Sequence, residues 1–177
     1  QFTKAIRRFS DARVLVIGDL MLDQFIWGRV ARISPEAPVP IVHVTDESYR
    51  LGGAANVVHN LRALGCAVQV AGVVGHDSAG GQLLDELARI GADGSGVIRS
   101  RQWQSICKTR IIAHNQQVVR FDRERTGIPT ALTTRLIRYL RRSIGDFDAV
   151  VLSDYGKGTI TEAVLRAVQE MHGAQPF

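Results

Sequence analysis

Gly52-Gly53-Ala54-Ala55-Asn56 opens an apolar-faced run that ends at Leu64-Gly65. Adjacent glycines let the backbone turn and come close to a ligand, because neither carries a Cβ. Ala54, Val57, Val58, Leu61 and Leu64 fall on one stripe at helical spacing, so the glycine pair leads straight into a helix. Gly65 stands where that helix would end, at C′. Asn56 lies off the stripe in the first turn, where unpaired N–H groups and the helix dipole favour polar or anionic ligands. Taken alone, the stretch is either an ordinary turn and helix or the floor of a ligand site.

Outward from this unit, buried strands alternate with amphipathic helices. Arg13-Val14-Leu15-Val16-Ile17-Gly18-Asp19 is a short apolar run closed by Gly-Asp, and Ala67 to Gly75 is a second such run. A helix capped by Asp77 follows, with Leu83, Leu84, Leu87 and Ile90 on its core side and Gly91 at its end. A short strand is expected around Gly96-Val97-Ile98. Pro129 and Thr130 open an arginine-rich helix whose core side is Leu132, Leu136, Ile137, Leu140 and Ile144. Asp148 to Ser153 reads as another buried strand, ending in the carboxylate of Asp154. Thr159-x-x-Glu162 has capping-box spacing and predicts a helix carrying Val164, Leu165, Val168 and Met171, with Gly173 to end it. This order predicts an α/β fold around a mostly parallel sheet.

Two stretches break the alternation. Around residues 24–50, the segment from Ser34 to Pro40 has three prolines in six residues, which excludes a central strand. Around residues 106–124, Lys108 to Ala113 and Gln117 to Asp122 flank His114-Asn115-Gln116 and read as a β-hairpin. The first reads as a short sheet excursion separate from the main layer. The alternation calls for a further strand after Phe177, so a truncated domain with an unpaired sheet edge is expected.

Composition narrows the function. A chain of 177 residues with 45% hydrophobic content makes one domain or a large part of one. The net charge is +5, much of it from Arg135, Arg138, Arg141 and Arg142 on one helix face. Aromatics are only 6% and do not alternate with basic residues, so no nucleic-acid partner is expected. No apolar run is long enough to span a membrane, and residues 1–10 do not read as a secretory signal. Cys66 and Cys107 stand alone, which fits reduced thiols and a cytoplasmic location. Neither Gly75–Gly81 nor Gly156-Lys157 completes a phosphate-binding P-loop, no dinucleotide or nucleophile-elbow glycine motif occurs, and the five histidines lack zinc spacing. No metal site is expected within the chain.

Asp19 and Asp23 follow the carboxyl end of the first strand, where open α/β sheets bind ligands. A carboxylate accepts from two hydroxyls at once and suits a polyol. Turn or cap for Asp19, and surface loop for Asp23, are the competing roles. Lys108, Arg110 and His114 form either a polar outer face or a basic wall over an anionic ligand.

Gly52-Gly53-Ala54-Ala55-Asn56, with Gly65 and Gly75 at their offsets and Val74-Gly75-His76-Asp77-x-x-Gly80 beyond, resembles the N-terminal signature of ribokinase-like (PfkB-type) carbohydrate kinases. Gly18 to Asp23, Arg32 to Pro40 and Leu152 to Gly158 resemble, inside that family, the heptose-7-phosphate kinases of the lipopolysaccharide inner-core pathway. The resemblance runs over nearly the whole chain and makes residues 1–177 the N-terminal, sugar-binding portion of one kinase domain.

The resemblance implies a parallel core with helices on both faces and a small β-sheet lid, residues 24–50 and 106–124, that covers the sugar and makes a homodimer contact. It implies that Asp23, Asn56 and the Gly52-Gly53 backbone hold sugar hydroxyls, with Asp19 and Asp154 lining the same pocket. Lys157, with Lys108, Arg110 and Arg120, would meet the phosphate already on the sugar. The implied reaction moves the γ-phosphoryl group of ATP, with Mg²⁺, to the anomeric hydroxyl of D-glycero-β-D-manno-heptose 7-phosphate. The family's Gly-Ala-Gly-Asp motif, which holds its anion hole and catalytic base, does not occur in this sequence; Gly91-Ala92-Asp93-Gly94 is only an echo. No catalytic residue is therefore expected here, ATP and Mg²⁺ would be bound mainly elsewhere, and the chain alone would be inactive. Another ribokinase-like sugar or nucleoside kinase, and a non-catalytic sugar-phosphate-binding module, remain open as alternatives.

Overall fold

The structure, a computed structural model, describes residues 8–172. The expected helix end at Gly173 lies outside them. Strand β1 (Arg13–Gly18) is buried from Val14 onward. It sits inside a four-stranded parallel sheet of order β5-β4-β1-β8, with β4 at Ala67–Gly75, β5 at Asp93–Ser100 and β8 at Ala149–Ser153. The alternation along β1 explains its continuous apolar run. Val14 and Val16 pack with helices α1 (Ala54–Ala63) and α2 (Ser78–Arg89) through Ala54, Val58, Leu83 and Leu87. Leu15 and Ile17 face the other way, into α3 (Thr130–Ser143) and α4 (Glu162–His172), against Leu132, Leu136, Leu140, Val164 and Val168. A strand covered on both faces has no solvent side and needs no polar residue.

The second sheet has the order β3-β2-β6-β7, from β2 (Leu20–Ile33), β3 (Pro40–Gly53), β6 (Ile106–Ala113) and β7 (Gln116–Arg123). β2 pairs antiparallel with β3 and parallel with β6, and β6 pairs antiparallel with β7. The two irregular stretches of sequence thus form one layer, and a single residue, Asp19, separates β1 of the core sheet from β2. Leu20, Leu22, Leu51 and Cys107 carry its near end into the core beneath α1 and α2. Cys66 and Cys107 are both free and buried.

Several local expectations change. The strands of the β2–β3 hairpin run 14 residues each, longer than the short excursions read from the sequence, with register shifts at Trp27/Gly28 and Val30/Arg32. The β6–β7 turn is two residues, His114 and Asn115, both at positive φ, as a tight hairpin requires. β8 is an edge strand whose central residues are only half-buried. The Thr159–Glu162 capping box does not form. Thr161 caps α4 instead, its hydroxyl accepting from the Val164 N–H at 3.3 Å, because the Thr159 amide is already engaged by Asp19. Leu64 and Leu165, placed on apolar stripes by periodicity, are exposed.

Candidate sugar-binding cleft

α1 begins at the junction of the two sheets. The Ala54 N–H donates to the Asp19 carbonyl at 2.9 Å, and Gly53, at φ 55°, makes the turn between β3 and the helix. A Cβ on Gly53 would strike that same carbonyl, so glycine is required there twice over. A Cβ on Gly52 would fall 2.6 Å from Asp23 Oδ2. Glycine at 52 is what lets the Asp23 carboxylate lie against the backbone that precedes α1.

A cleft of about 920 Å³ opens between this junction and one face of the second sheet. Its floor has Asp23, Gly52, Gly53 and the exposed Asn56; its wall has Lys108, Arg110 and Arg120. These seven of the ten residues expected from the sequence come together. Strand register explains why. Asp23 pairs with Arg50 on one side and Lys108 on the other, and Arg110 pairs with Arg120, so alternate residues of four strands share the face turned to the cleft.

The charges are largely paired. Arg110 Nη1 donates to Asp23 Oδ1 at 2.6 Å, with both side chains about a fifth exposed. Lys108 Nζ lies 3.3 Å from Asp122 Oδ2 and 3.8 Å from Glu124 Oε2, and Arg120 Nε lies 3.1 Å from Asp122 Oδ1. Beside α1, His59 and Asn60 line the cleft, as do Glu86 and Arg89 of α2, paired at 2.6 Å. Tyr49 also lines it; burial, then the adjacent Glu47, pushes its phenol above the usual tyrosine range. Burial likewise pushes up the Cys107 thiol behind the sheet, so it is an unreactive neutral group.

Asp19, Asp154 and Lys157 do not line the cleft. Asp19 is 1% exposed and accepts three backbone N–H groups: Tyr155 at 2.9 Å and Lys157 at 3.0 Å on Oδ2, and Thr159 at 3.0 Å on Oδ1. Its carboxylate is filled by the 154–159 loop, the turn role that competed with ligand binding. Asp154 accepts from the Gly156 N–H at 2.8 Å and shapes that loop. Lys157 Nζ pairs with Glu124 Oε1 at 2.9 Å. From the loop it is Tyr155 that reaches the cleft.

Arg50, Phe25 and Tyr155 were not among the expected site residues. Arg50 carries a readable signal in hindsight: it stands two residues before Gly52, so any hairpin that brings Asp23 to Gly52 brings Arg50 to the same face.

Residues 11–176 match the sequence profile described as pfkB family carbohydrate kinase. The chain is 51% identical over 162 residues to the bifunctional protein HldE of Citrifermentans bemidjiense, and 46% identical over 157 residues to that of Helicobacter hepaticus. These alignments cover 91% and 88% of this chain but 33% of each relative, so the chain spans about a third of their length. In fold it resembles a phosphofructokinase-like protein of Staphylococcus aureus, with TM-score 0.70 at 14% identity, covering 90% of this chain and 49% of that one. It also resembles phosphofructokinase-2 of Escherichia coli in its tetrameric inhibited form, with TM-score 0.66 at 16% identity, covering 90% and 52%. With a parallel core, a second small sheet and the double-glycine junction all present, the chain belongs to the pfkB family of carbohydrate kinases.

Proposed function

We propose that this chain is the acceptor-binding portion of a kinase that transfers the ATP γ-phosphoryl group to the anomeric hydroxyl of D-glycero-β-D-manno-heptose 7-phosphate, in the cytoplasm, for lipopolysaccharide core assembly. The observation that carries this reading is a single cleft with polyol-gripping groups at one end and cations on its wall. Asp23, Asn56 and the Gly52-Gly53 backbone would hold ring hydroxyls, and the wall would receive the phosphate the sugar already bears. The relatives named bifunctional protein HldE support the heptose substrate.

In the reaction, the anomeric oxygen bonds to the γ-phosphorus as the bond from that phosphorus to the β,γ-bridging oxygen breaks, releasing ADP. The proton of the anomeric hydroxyl needs an acceptor, which the family's Gly-Ala-Gly-Asp segment would supply; this sequence lacks that segment. Among the described residues, no group of three or more His, Cys, Asp or Glu side chains could hold a metal ion. ATP and Mg²⁺ belong to the whole protein in this proposal, and what this chain contributes is orientation of the acceptor and exclusion of water around it. Alone it would bind sugar phosphate without turning it over.

Calorimetric titration of the chain with heptose 7-phosphate tests the reading, with fructose 6-phosphate and ribose alongside. Saturable binding of the heptose phosphate, weakened about tenfold or more in both Asn56→Ala and Asp23→Ala, is expected from the loss of hydrogen bonds to a charged or dipolar group. Equal affinity for all three ligands, or none for any by a folded sample, would overturn it.

A further inference from the structure

Five cationic side chains line the cleft, Arg50, Arg89, Lys108, Arg110 and Arg120, against the carboxylates of Asp23 and Glu86. Four of the five have a carboxylate partner: Arg89 has Glu86, Arg110 has Asp23, and Lys108 and Arg120 share Asp122. Arg50 has no carboxylate within 4 Å among the described residues. What holds it is Phe25, whose ring centroid lies 5.1 Å from the Arg50 guanidinium carbon. The Arg110 guanidinium carbon lies 5.2 Å from the same ring. Phe25 is on β2, Arg50 on β3 and Arg110 on β6, so the two guanidinium groups approach the ring from the strands on either side.

This arrangement leaves one cation of the cleft without a carboxylate partner among the described residues. An aromatic face steadies a guanidinium but does not neutralise it. A cation left unneutralised on a concave wall raises the local potential and draws in anions. Two planar guanidinium forks fixed by one ring are also pre-ordered, so little side-chain entropy remains to be lost when a tetrahedral dianion is bound.

We infer that Arg50 and Arg110, braced by Phe25, form the clamp for the phosphate that the acceptor already carries, and that Arg50 is the residue that selects phosphorylated over plain sugars. The inference rests on the sugar-kinase reading and deepens it. Arg110 also ties the clamp to the polyol end. In the free chain its Nη1 donates to Oδ1 of Asp23, one of the groups proposed to grip hydroxyls. A substrate phosphate that takes over the Arg110 fork releases Asp23 Oδ1 for a hydroxyl. A sugar without a phosphate has nothing to offer Arg110 and meets an Asp23 whose Oδ1 still accepts from it. Lys108 and Arg120, balanced by Asp122, contribute to the field of the wall but are not the selecting pair.

The test is isothermal titration of the 177-residue chain and its Arg50→Ala, Arg50→Lys, Arg120→Ala and Asn56→Ala variants with heptose 7-phosphate and with the unphosphorylated heptose. Arg50 is exposed, so its replacement leaves the fold intact, which circular dichroism verifies. Arg50→Ala is expected to lower affinity for the 7-phosphate about tenfold or more, and to lower it far more than affinity for the plain sugar. Arg50→Lys should recover only part, since an ammonium keeps the charge but not the fork. Arg120→Ala should lose less than Arg50→Ala. If Asn56→Ala abolishes binding while Arg50→Ala leaves the preference for the phosphorylated sugar unchanged, the sugar-kinase reading stands and the clamp is overturned. If the unaltered chain, shown by circular dichroism to be folded, binds neither sugar, both fall together.

Discussion

At the scale of single residues, Asp19 does more for the structure than its position at a strand end announces. Its backbone closes the core sheet, its N–H meeting the Ser153 carbonyl at 3.2 Å and its carbonyl receiving Ala54 at the start of α1. Its carboxylate gathers three amides of the 154–159 loop, and that loop carries Tyr155 to the cleft. Asp19→Ala would strand these donors in partly or fully buried positions, at a cost of about 3 kcal/mol or more, since each unsatisfied buried donor costs roughly 1–3 kcal/mol. Asp19→Asn keeps the shape and one accepting oxygen but turns an amide NH₂ toward an N–H, so it should fall between the two. Urea denaturation measures this directly; an Asp19→Ala midpoint indistinguishable from that of the unaltered chain would refute the clamp role. The sequence left this residue with two roles because a carboxylate after a strand looks the same whether it faces a ligand or a returning loop. The loop it holds lies 136 positions or more away, a distance no local pattern spans. That Asp23 and Asn56 line one cleft followed from the family resemblance, and each lies on an element close to it in sequence, β2 and the first turn of α1.

At the scale of elements, the same rule separates what could be read from what could not. The cap of α2 is local, and Asp77 accepts from the Gly80 N–H at 2.8 Å as its spacing predicted. The structure adds a second duty, since Asp77 Oδ2 also accepts from the Ser105 N–H at 2.9 Å and so ties the β5–β6 connection to the helix. Burial works to raise the Asp77 pKa, but the hydrogen bonds from Ser105 and Gly80 outweigh it and hold the carboxyl below the usual range. A depressed folded pKa means the unfolded chain takes up the proton first as pH falls. The stabilisation is therefore complete above the unfolded value near 4 and is lost as pH drops through the folded one. Asp77→Ala should cost about 1–2 kcal/mol at neutral pH, typical of a lost N-cap. That difference from the unaltered chain should shrink steadily below about pH 4, and a gap that stays constant to pH 2 would contradict it. By contrast, the α4 cap was misread because Thr159, at ideal spacing from Glu162, is drawn off by Asp19. The hairpin strands were under-read because each is lengthened by its partner, across bulges that proline-rich sequence does not reveal.

At the scale of the whole molecule, the two-sheet division was legible because proline clusters and hairpin signals cannot belong to a buried parallel layer. The pairing of β2 with β6, which builds the cleft wall from residues more than 80 positions apart, was not, since strand order between distant segments is set by packing. The finished layer also explains where apolar surface remains. Of the ten large apolar side chains exposed among the described residues, six belong to the second sheet or its proline turn: Ile33, Val39, Val44, Val118, Val119 and Phe121. β7 is exposed at all eight positions and leaves one edge of this sheet unpaired. Val119 and Phe121, apolar and exposed on one face of an open sheet, suit an association surface, and the homodimer contact that the family resemblance implies would use this layer. Register fixes which residues to change. Val119 and Phe121 pair with Ile111 and Thr109, so they lie on the face opposite the cleft cations, whereas Arg120 pairs with Arg110 on the cleft side. Val119→Asp with Phe121→Asp should therefore convert a dimer into a monomer in sedimentation velocity while sugar-phosphate binding persists. A monomeric unaltered chain at every concentration examined would remove the dimer proposal. A dimer untouched by the paired substitution would move the contact to another surface, with the exposed edge of β8 the next to be tested.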